Sequence, residues 1–409
     1  MFKGIDAFDR GVFFVFTATI IVNAFNLLYQ LLIAHRLNPE YFAAFNSLIA
    51  IFMLVSSPLA NLQIVTAKYV ADYRRQKQPQ KINFLLYSVF RKVLLLAFLT
   101  LAGFYLFSSY IIQKLKIPSF ASVYILSLLL AGCWLLPIFL GALQGLEFFG
   151  WMAVISVSIS VLKLLLAFIF LRLGLKITGA LGALLLSYSV GLILVAVILR
   201  DIFFTKAVTC DINLKDFFYY ILPVSVSTFL FMCLVNFDMV AVRYFFNSQE
   251  SGVYALAQMV GKLILFLPAA VNVVILPHTS GLSKEQNRAR LTLKKGLLYA
   301  FSLCIFAALI YNIFPNFTLR ILTGKTIAES IFLGRFFSVS MASFALLFII
   351  ITYFISIKDL RFIKYLFLFT LLQIIAIVLF HKVLIHIQLI MCINAFMLLF
   401  IHLVLAFKG

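Results

Sequence analysis

The chain alternates long apolar runs with short polar connections. Most runs reach about 20 residues, the length that an α-helix needs to cross the hydrocarbon layer of a membrane. A membrane β-strand would instead alternate apolar and polar positions over about ten residues. The pattern therefore predicts about twelve transmembrane helices. Their predicted ranges are 12–35, 42–70, 86–113, 119–143, 148–172, 177–199, 217–244, 251–278, 296–322, 328–356, 361–381 and 383–407.

The composition excludes a chain that folds in water. Of 409 residues, 65% are hydrophobic and only 11% are charged, and the mean hydropathy is +1.14. A soluble domain cannot bury that much apolar surface, and a disordered chain or a disulfide-rich secreted scaffold has a different composition. The predicted fold class is an all-α polytopic membrane protein.

Basic residues outnumber acidic ones by 33 to 13. They cluster in short connections between apolar runs, and no arginine-rich arm or zinc-finger spacing accompanies them, so we expect no nucleic-acid partner. Placing the N-terminus in the cytoplasm puts most Lys and Arg on the cytoplasmic side, as the positive-inside rule requires. With twelve spans, both termini are expected to be cytoplasmic. The five cysteines are scattered without a paired motif, and we predict neither a metal nor a cofactor.

The connections are too short to hold a folded catalytic domain. The longest polar ones lie around 72–81, 200–216 and 281–295, all on the predicted cytoplasmic side. A membrane glycosyltransferase or polymerase usually presents carboxylates and bases to an aqueous substrate from such a domain. We therefore predict a protein that is not an enzyme, with that enzyme class as the less favoured alternative.

The two halves of the chain resemble each other. The predicted lobes are 1–206 and 207–409, with six spans each. The turn after the first span, Ala34–Phe45, has a partial echo in the turn after the seventh, Ala241–Tyr254. Because six is an even number, duplicated halves share one orientation, which predicts a parallel pseudo-repeat around a central cleft. Twelve unrelated helices are the alternative.

One stretch resembles a known family. The sequence from Asp238 through Glu250, Gly252, Tyr254 and Ala257, followed by Pro268 and Pro277, is similar to the seventh and eighth spans of polysaccharide-export proteins. These belong to the multidrug/oligosaccharidyl-lipid/polysaccharide exporter superfamily, and their typical pattern is an Asp, an apolar stretch and then Gly-x-Tyr-x-x-Ala. The turn Leu37–Phe45 is similar to the matching element of the first half. One departure is Ala43, where the family commonly has Gly.

The resemblance implies a function. A member of the lipid-linked O-antigen flippase-like branch would translocate a polyprenyl-diphosphate-linked oligosaccharide across a prokaryotic cytoplasmic (inner) membrane by alternating access, for cell-surface polysaccharide biosynthesis. Its partners would be a lipid-linked anionic glycan, membrane lipid and glycan-assembly membrane proteins.

Charged residues inside the spans are candidates for the substrate site, because each costs at least about 2.5 to 3.5 kcal/mol to insert. Lys163, Lys262 and Arg335 are cations, and Asp238 is an anion. A net positive interior suits a diphosphate, which Lys neutralises as a point charge and Arg by a bidentate fork. An exporter of cations would favour carboxylates instead.

Each candidate also has a structural alternative. Lys262, with Gln258 on the same helical face, contacts substrate or pairs with Asp238, which is itself an ion-coupling site or a structural partner. Arg335 binds substrate or extends to the membrane interface, and Lys163 faces either the cleft or a helix contact. The face formed by Asn23, Asn26 and Gln30 binds sugar hydroxyls or joins helices.

Three other functions are open to this sequence. A cation-coupled multidrug exporter of the same fold would depend on a carboxylate, and Asp238 is the candidate within the predicted spans. A glycosyltransferase or polymerase would elongate a sugar chain. A non-transporting scaffold would show no change between inward and outward states.

Overall fold

The computed structural model describes residues 7–203, 214–268 and 286–408, and these are helical apart from short turns. The described residues include eleven segments long and apolar enough to cross a membrane. The predicted span 251–278 begins as a helix, and its second half lies outside the described residues. The prediction of an all-α polytopic membrane protein is confirmed.

The chain divides into two compact units, which we call unit 1 (Met1–Arg36 and Val55–Ser225) and unit 2 (Leu37–Leu54 and Val226–Gly409). The boundary between the predicted lobes, at residues 206 and 207, lies outside the described residues. The helices in the first half are α1 (Ala7–Arg36), α2 (Pro39–Ser56), α3 (Leu59–Arg75), α4 (Pro79–Leu106), α5 (Ser108–Lys114), α6 (Phe120–Gly145), α7 (Phe149–Arg172), α8 (Lys176–Ile198) and α9 (Arg200–Phe203). Those in the second half are α10 (Leu214–Phe245), α11 (Ser248–Phe266), α12 (Gln286–Ile313), α13 (Pro315–Thr323), α14 (Ala328–Ser356), α15 (Phe362–Leu379) and α16 (Leu384–Lys408).

The same pairs of helices pack together in both units. In unit 1, α6 contacts α3, α4 and α8, and α7 contacts α8. In unit 2, α14 contacts α11, α12 and α16, and α15 contacts α16. In each half of the chain one long helix, α4 or α12, is followed by a short one, α5 or α13. This common order of helices and contacts is what duplication of a six-helix segment predicts.

The two echoing turns also share their local chemistry. The Asn38 side chain accepts a hydrogen bond of 2.9 Å from the backbone N–H of Tyr41. The Asn247 side chain accepts one of 2.8 Å from the backbone N–H of Glu250, whose carboxylate in turn accepts from the Asn247 N–H. Such side-chain caps satisfy backbone donors that a helix start leaves unpaired. Both caps start the helix that follows the turn.

Small residues allow close packing at the centre of unit 1. A Cβ on Gly141 would lie 2.5 Å from the carbonyl oxygen of Gln63, and one on Gly145 would lie 2.6 Å from that of Ala67. The Gly141-x-x-x-Gly145 pattern therefore brings α6 against the backbone of α3. On the outer surface, by contrast, the large apolar side chains of Leu95 and Phe98 are 60% and 63% exposed. Lipid is the solvent that accommodates such a surface.

Candidate functional site

Lys163 of α7 lies in a polar cluster inside unit 1. Its ammonium donates a hydrogen bond to the side-chain oxygen of Asn26 on α1 and lies 4.8 Å from the centre of the Tyr29 ring. The Tyr29 hydroxyl donates to the carbonyl oxygen of Ala180 on α8, at 2.9 Å. Three helices thus fix the position of one cation, and we call Lys163, Asn26 and Tyr29 the lysine cluster.

The partners of Lys163 are electrically neutral. The side chain is only 8% exposed, and the described residues place no carboxylate in contact with it. The amide of Asn26 and the ring of Tyr29 stabilise an ammonium by a hydrogen bond and a cation–π contact. Neither cancels its charge. The lysine cluster is therefore a positively charged site within the apolar interior of unit 1.

The predicted polar face of α1 is divided between two environments. Asn26 is exposed apart from its contact with Lys163, and Asn23, one turn earlier, is also exposed. Gln30 is half-buried. The structure thus brings Asn26 together with Lys163 and leaves the amide of Asn23 accessible along the same face.

Asp238 is the centre of a second polar cluster, in unit 2. Its side chain is fully buried, and its Oδ2 accepts hydrogen bonds of 2.9 Å from both the Tyr254 hydroxyl and the Gln258 amide. Gln388 on α16 approaches the same hydroxyl at 3.5 Å and donates to Ser340 of α14 at 2.9 Å. We call Asp238, Tyr254, Gln258 and Gln388 the aspartate network.

Lys262 lies one turn beyond Gln258 on α11 and interacts electrostatically with Asp238. No ion pair within 4 Å joins these two side chains among the described residues. Oδ2 of Asp238 accepts from neutral donors, and its Oδ1 is buried without a hydrogen-bond partner in the described part of the chain. Lys262 is half-buried. The structure therefore shows neighbouring opposite charges, with the carboxylate held by Tyr254 and Gln258.

Arg335 lies apart from the aspartate network. It is an exposed residue in the first third of α14, close enough to Tyr311 of α12 for an electrostatic interaction. Ser338, one turn later, donates to the Arg335 carbonyl at 2.6 Å. The guanidinium of Arg335 is accessible, in contrast to the buried carboxylate of Asp238.

Tyr29, Tyr254 and Gln388 belong to these clusters but were not among the predicted site residues. A signal existed for two of them, because Tyr29 follows Asn26 by three positions and Tyr254 precedes Gln258 by four, spacings that share a helical face. Gln388 is 134 residues from Tyr254 and 48 from Ser340. Its place depends on the packing of α16, which no local spacing indicates.

Solved transporters share this fold. An inward-facing multidrug resistance MATE family transporter of the MOP superfamily is 17% identical, with 94% of this chain and 93% of that one covered at a TM-score of 0.76. The lipid II flippase MurJ, in an inward closed conformation, is 16% identical over 97% and 87%, with a TM-score of 0.71. A MOP superfamily transporter from Pyrococcus furiosus, described as having a binding pocket of reverse polarity, is 18% identical over 98% and 95%, with a TM-score of 0.65. A search of curated proteins finds no match.

The fold is that of these multi-pass membrane transporters. The family described as Polysaccharide biosynthesis protein matches residues 8–283, more than half of the sequence. The chain belongs to that family. The resemblance seen in the sequence, to the exporter branch of this superfamily, is confirmed.

Proposed function

We propose that this protein translocates a polyprenyl-diphosphate-linked oligosaccharide across a prokaryotic cytoplasmic membrane by alternating access, in the synthesis of a cell-surface polysaccharide such as O-antigen. Both termini are placed in the cytoplasm in this proposal, because most Lys and Arg of the connections then lie inside. The family assignment supports a role in polysaccharide synthesis. The transporter fold supports movement of a substrate without covalent chemistry.

The observation that carries the proposal is Lys163 with its neutral partners. A buried cation without a countercharge costs several kcal/mol, which is about the magnitude that insertion scales assign to a charge at bilayer depth. A passing diphosphate supplies the missing countercharge. The ammonium has three donors, so Asn26 leaves donors for phosphate oxygens.

The other candidates extend the same chemistry. Lys262 and Arg335 provide further cations for the diphosphate in unit 2, and Asn23, Asn26 and Gln30 provide amides for sugar hydroxyls. Gln258 contributes by holding Asp238. Asp238 itself is either an ion-coupling group or the structural partner of Lys262. Membrane lipid and glycan-assembly membrane proteins are the remaining partners in this proposal.

The test is transbilayer movement of a fluorescent polyprenyl-diphosphate oligosaccharide in proteoliposomes. We compare the wild type with a variant in which Lys163, Lys262 and Arg335 are all replaced by Ala. The control variant replaces three exposed lysines, Lys294, Lys295 and Lys382, and so loses the same charge. Because a hydrogen bond to a charged group contributes about 1.5 to 3 kcal/mol, loss of even one such contact predicts about a tenfold fall in rate or more.

Three results contradict parts of the proposal. Movement that survives neutralisation of the three cations, in a folded protein, would remove the proposed site. Loss of movement in the control variant as well would assign the effect to total charge. Absence of movement for every lipid-linked glycan, with efflux of a cationic dye that depends on Asp238, would assign the protein to the drug exporters.

A further inference from the structure

A large groove runs along the outer face of unit 1, between α4 and α6. Its volume is about 1160 Å³. One wall is a stripe of α4 side chains at helical spacing, in which Ser88, Arg91, Leu95 and Phe98 follow one another. The floor on α6 is formed by the small residues Ala131 and Gly132. Neither the lysine cluster nor the aspartate network contributes to it.

The groove has a polar part and a longer apolar part. Arg91 and Lys92, both exposed, lie with the hydroxyls of Tyr87 and Ser88 in the part nearer the α3–α4 turn, where Phe84 precedes them. Beyond them the α4 wall is apolar as far as Leu101. Phe98 and Leu95 are about 60% exposed, so this apolar wall opens to the membrane. The arrangement matches a molecule with an anionic head and apolar chains.

The length of the apolar part identifies the class of molecule. From Lys92 to Leu101 the α4 backbone rises about 14 Å. Half of a typical hydrocarbon layer is about 15 Å thick. The apolar part of the groove therefore has the length of one leaflet of hydrocarbon, which is the extent of an ordinary diacyl lipid.

We propose that this groove is a binding site for one anionic phospholipid of the leaflet on the side of the α3–α4 turn, with its phosphate at Arg91 and Lys92 and its acyl chains along α4 and α6. The exposed basic side chain of Lys77 in that turn adds to the attraction for an anionic headgroup. This inference does not depend on which substrate the protein transports.

The two tryptophans of the chain allow a direct test. Trp134 lies on α6, three residues after Ala131, whereas Trp151 is 54% exposed on α7. A Trp151→Phe variant makes Trp134 the single fluorophore, and a Trp134→Phe variant does the same for Trp151. Each variant is placed in lipid nanodiscs that contain a small fraction of brominated phospholipid, whose acyl-chain bromines quench tryptophan fluorescence at short range. The brominated lipid is phosphatidylglycerol in one sample and phosphatidylcholine in the other.

We expect Trp134 to be quenched preferentially by the brominated phosphatidylglycerol, and Trp151 to be quenched equally by the two lipids. Each basic residue near a headgroup favours an anionic lipid by about fivefold. Arg91→Ala combined with Lys92→Ala should therefore abolish the preference at Trp134. The matched control is Lys294→Ala with Lys295→Ala, an exposed pair on α12, which should leave the preference intact.

A second variant tests the apolar part with both charges present. A Cβ on Gly132 has its nearest neighbour at 3.9 Å, so Gly132→Leu should be accommodated and should fill the floor of the groove, lowering the quenching of Trp134. Gly103→Leu, on α4 but outside the groove lining, is its control. Equal quenching by both lipids in the parent protein, or a preference that survives removal of Arg91 and Lys92, would overturn the proposal. Displacement of phosphatidylglycerol by equimolar polyprenyl phosphate would also overturn the proposal, because the groove would then bind the polyprenyl carrier of the substrate.

Discussion

The Tyr254 hydroxyl donates a hydrogen bond of 2.9 Å to the carboxylate of Asp238, sixteen residues earlier in the chain. Both residues are fully buried. The bond connects α10 to α11, the two helices that the echoing turn at Asn247 joins. A buried carboxylate needs such donors, because an ionised group without partners is expensive to enclose. A tyrosine rather than a salt bridge therefore joins the two helices of this hairpin at Asp238.

Replacing Tyr254 by Phe should destabilise the protein. The change removes one of the two donors to Oδ2 of Asp238 and leaves the ring in place against Phe337. Hydrogen bonds to charged groups contribute about 1.5 to 3 kcal/mol, so the midpoint of unfolding in detergent should fall measurably. The control is Tyr299→Phe, which removes a hydroxyl from a side chain that is 65% exposed. Equal midpoints for the two variants would contradict the assigned role of Tyr254.

The apolar pattern was sufficient to predict the membrane-spanning helices, but it misplaced their ends in two corresponding places. The predictions 86–113 and 296–322 are observed as α4, which ends at Leu106, and α12, which ends at Ile313. In each case a short helix, α5 or α13, follows within the apolar stretch. Hydropathy does not distinguish a continuing helix from a turn between two apolar helices. The apolar pattern also starts these two helices too late, because their first turns are polar: α4 begins at Pro79 and α12 at Gln286.

The pairing of site residues was beyond the reach of the sequence. Lys163 and Asn26 were both predicted as site residues, yet nothing in their spacing of 137 positions indicates that they touch. Their contact depends on the packing of α1 against α7. Lys262 and Gln258, by contrast, are four positions apart, so their common helical face was predictable.

Gly252 should tolerate no larger residue. A Cβ at this position would lie 2.8 Å from the Cβ of Pro39 and 2.9 Å from its carbonyl carbon. The backbone of a capped helix start cannot move away easily, so Gly252→Ala should lower the free energy of unfolding by about 1 to 3 kcal/mol, the usual cost of overpacking. The unfolding midpoint of the purified protein in detergent measures this effect.

Gly150→Ala is the matched control for Gly252. A Cβ there meets nothing within 4 Å, and the residue lies in the first turn of α7. Because Ala favours a helix over Gly by up to about 1 kcal/mol, this variant should be neutral or slightly stabilised. A Gly252→Ala midpoint at or above that of Gly150→Ala would show that α2 and α11 are not tightly packed at Pro39.

Asp359 should make stability depend on acid pH. It lies in the connection between α14 and α15, where Arg361 donates hydrogen bonds to its carboxylate and lowers the pKa of Asp359. A lowered folded-state pKa means that the stabilisation is complete above the unfolded pKa of about 3.9 and is lost as the pH falls through the folded value. Arg361 is exposed, so the contribution of this ion pair to the free energy of unfolding should be small.

Asp359→Asn isolates this contribution. The variant should unfold at a lower temperature than the wild type at pH 7, and the difference should narrow as the pH is lowered below about 4. Asp201→Asn is the comparison, since its side chain is 86% exposed beside Arg200. A difference for Asp359→Asn that is independent of pH between 3 and 7 would contradict the proposed linkage.

Replacement of Lys163 should show whether this residue binds substrate or only stabilises the fold. Replacing it by Met retains an unbranched side chain of similar length and removes a buried charge whose described partners are neutral. Exchange of a buried charge for an apolar group is often neutral or stabilising. We therefore expect the unfolding midpoint of Lys163→Met to equal or exceed that of the wild type, while movement of the lipid-linked glycan falls about tenfold. Lys295→Met, at an exposed position of α12, should change neither quantity. A lower midpoint for Lys163→Met with an unchanged rate in the folded fraction would make Lys163 a link between α1 and α7 instead of a substrate ligand.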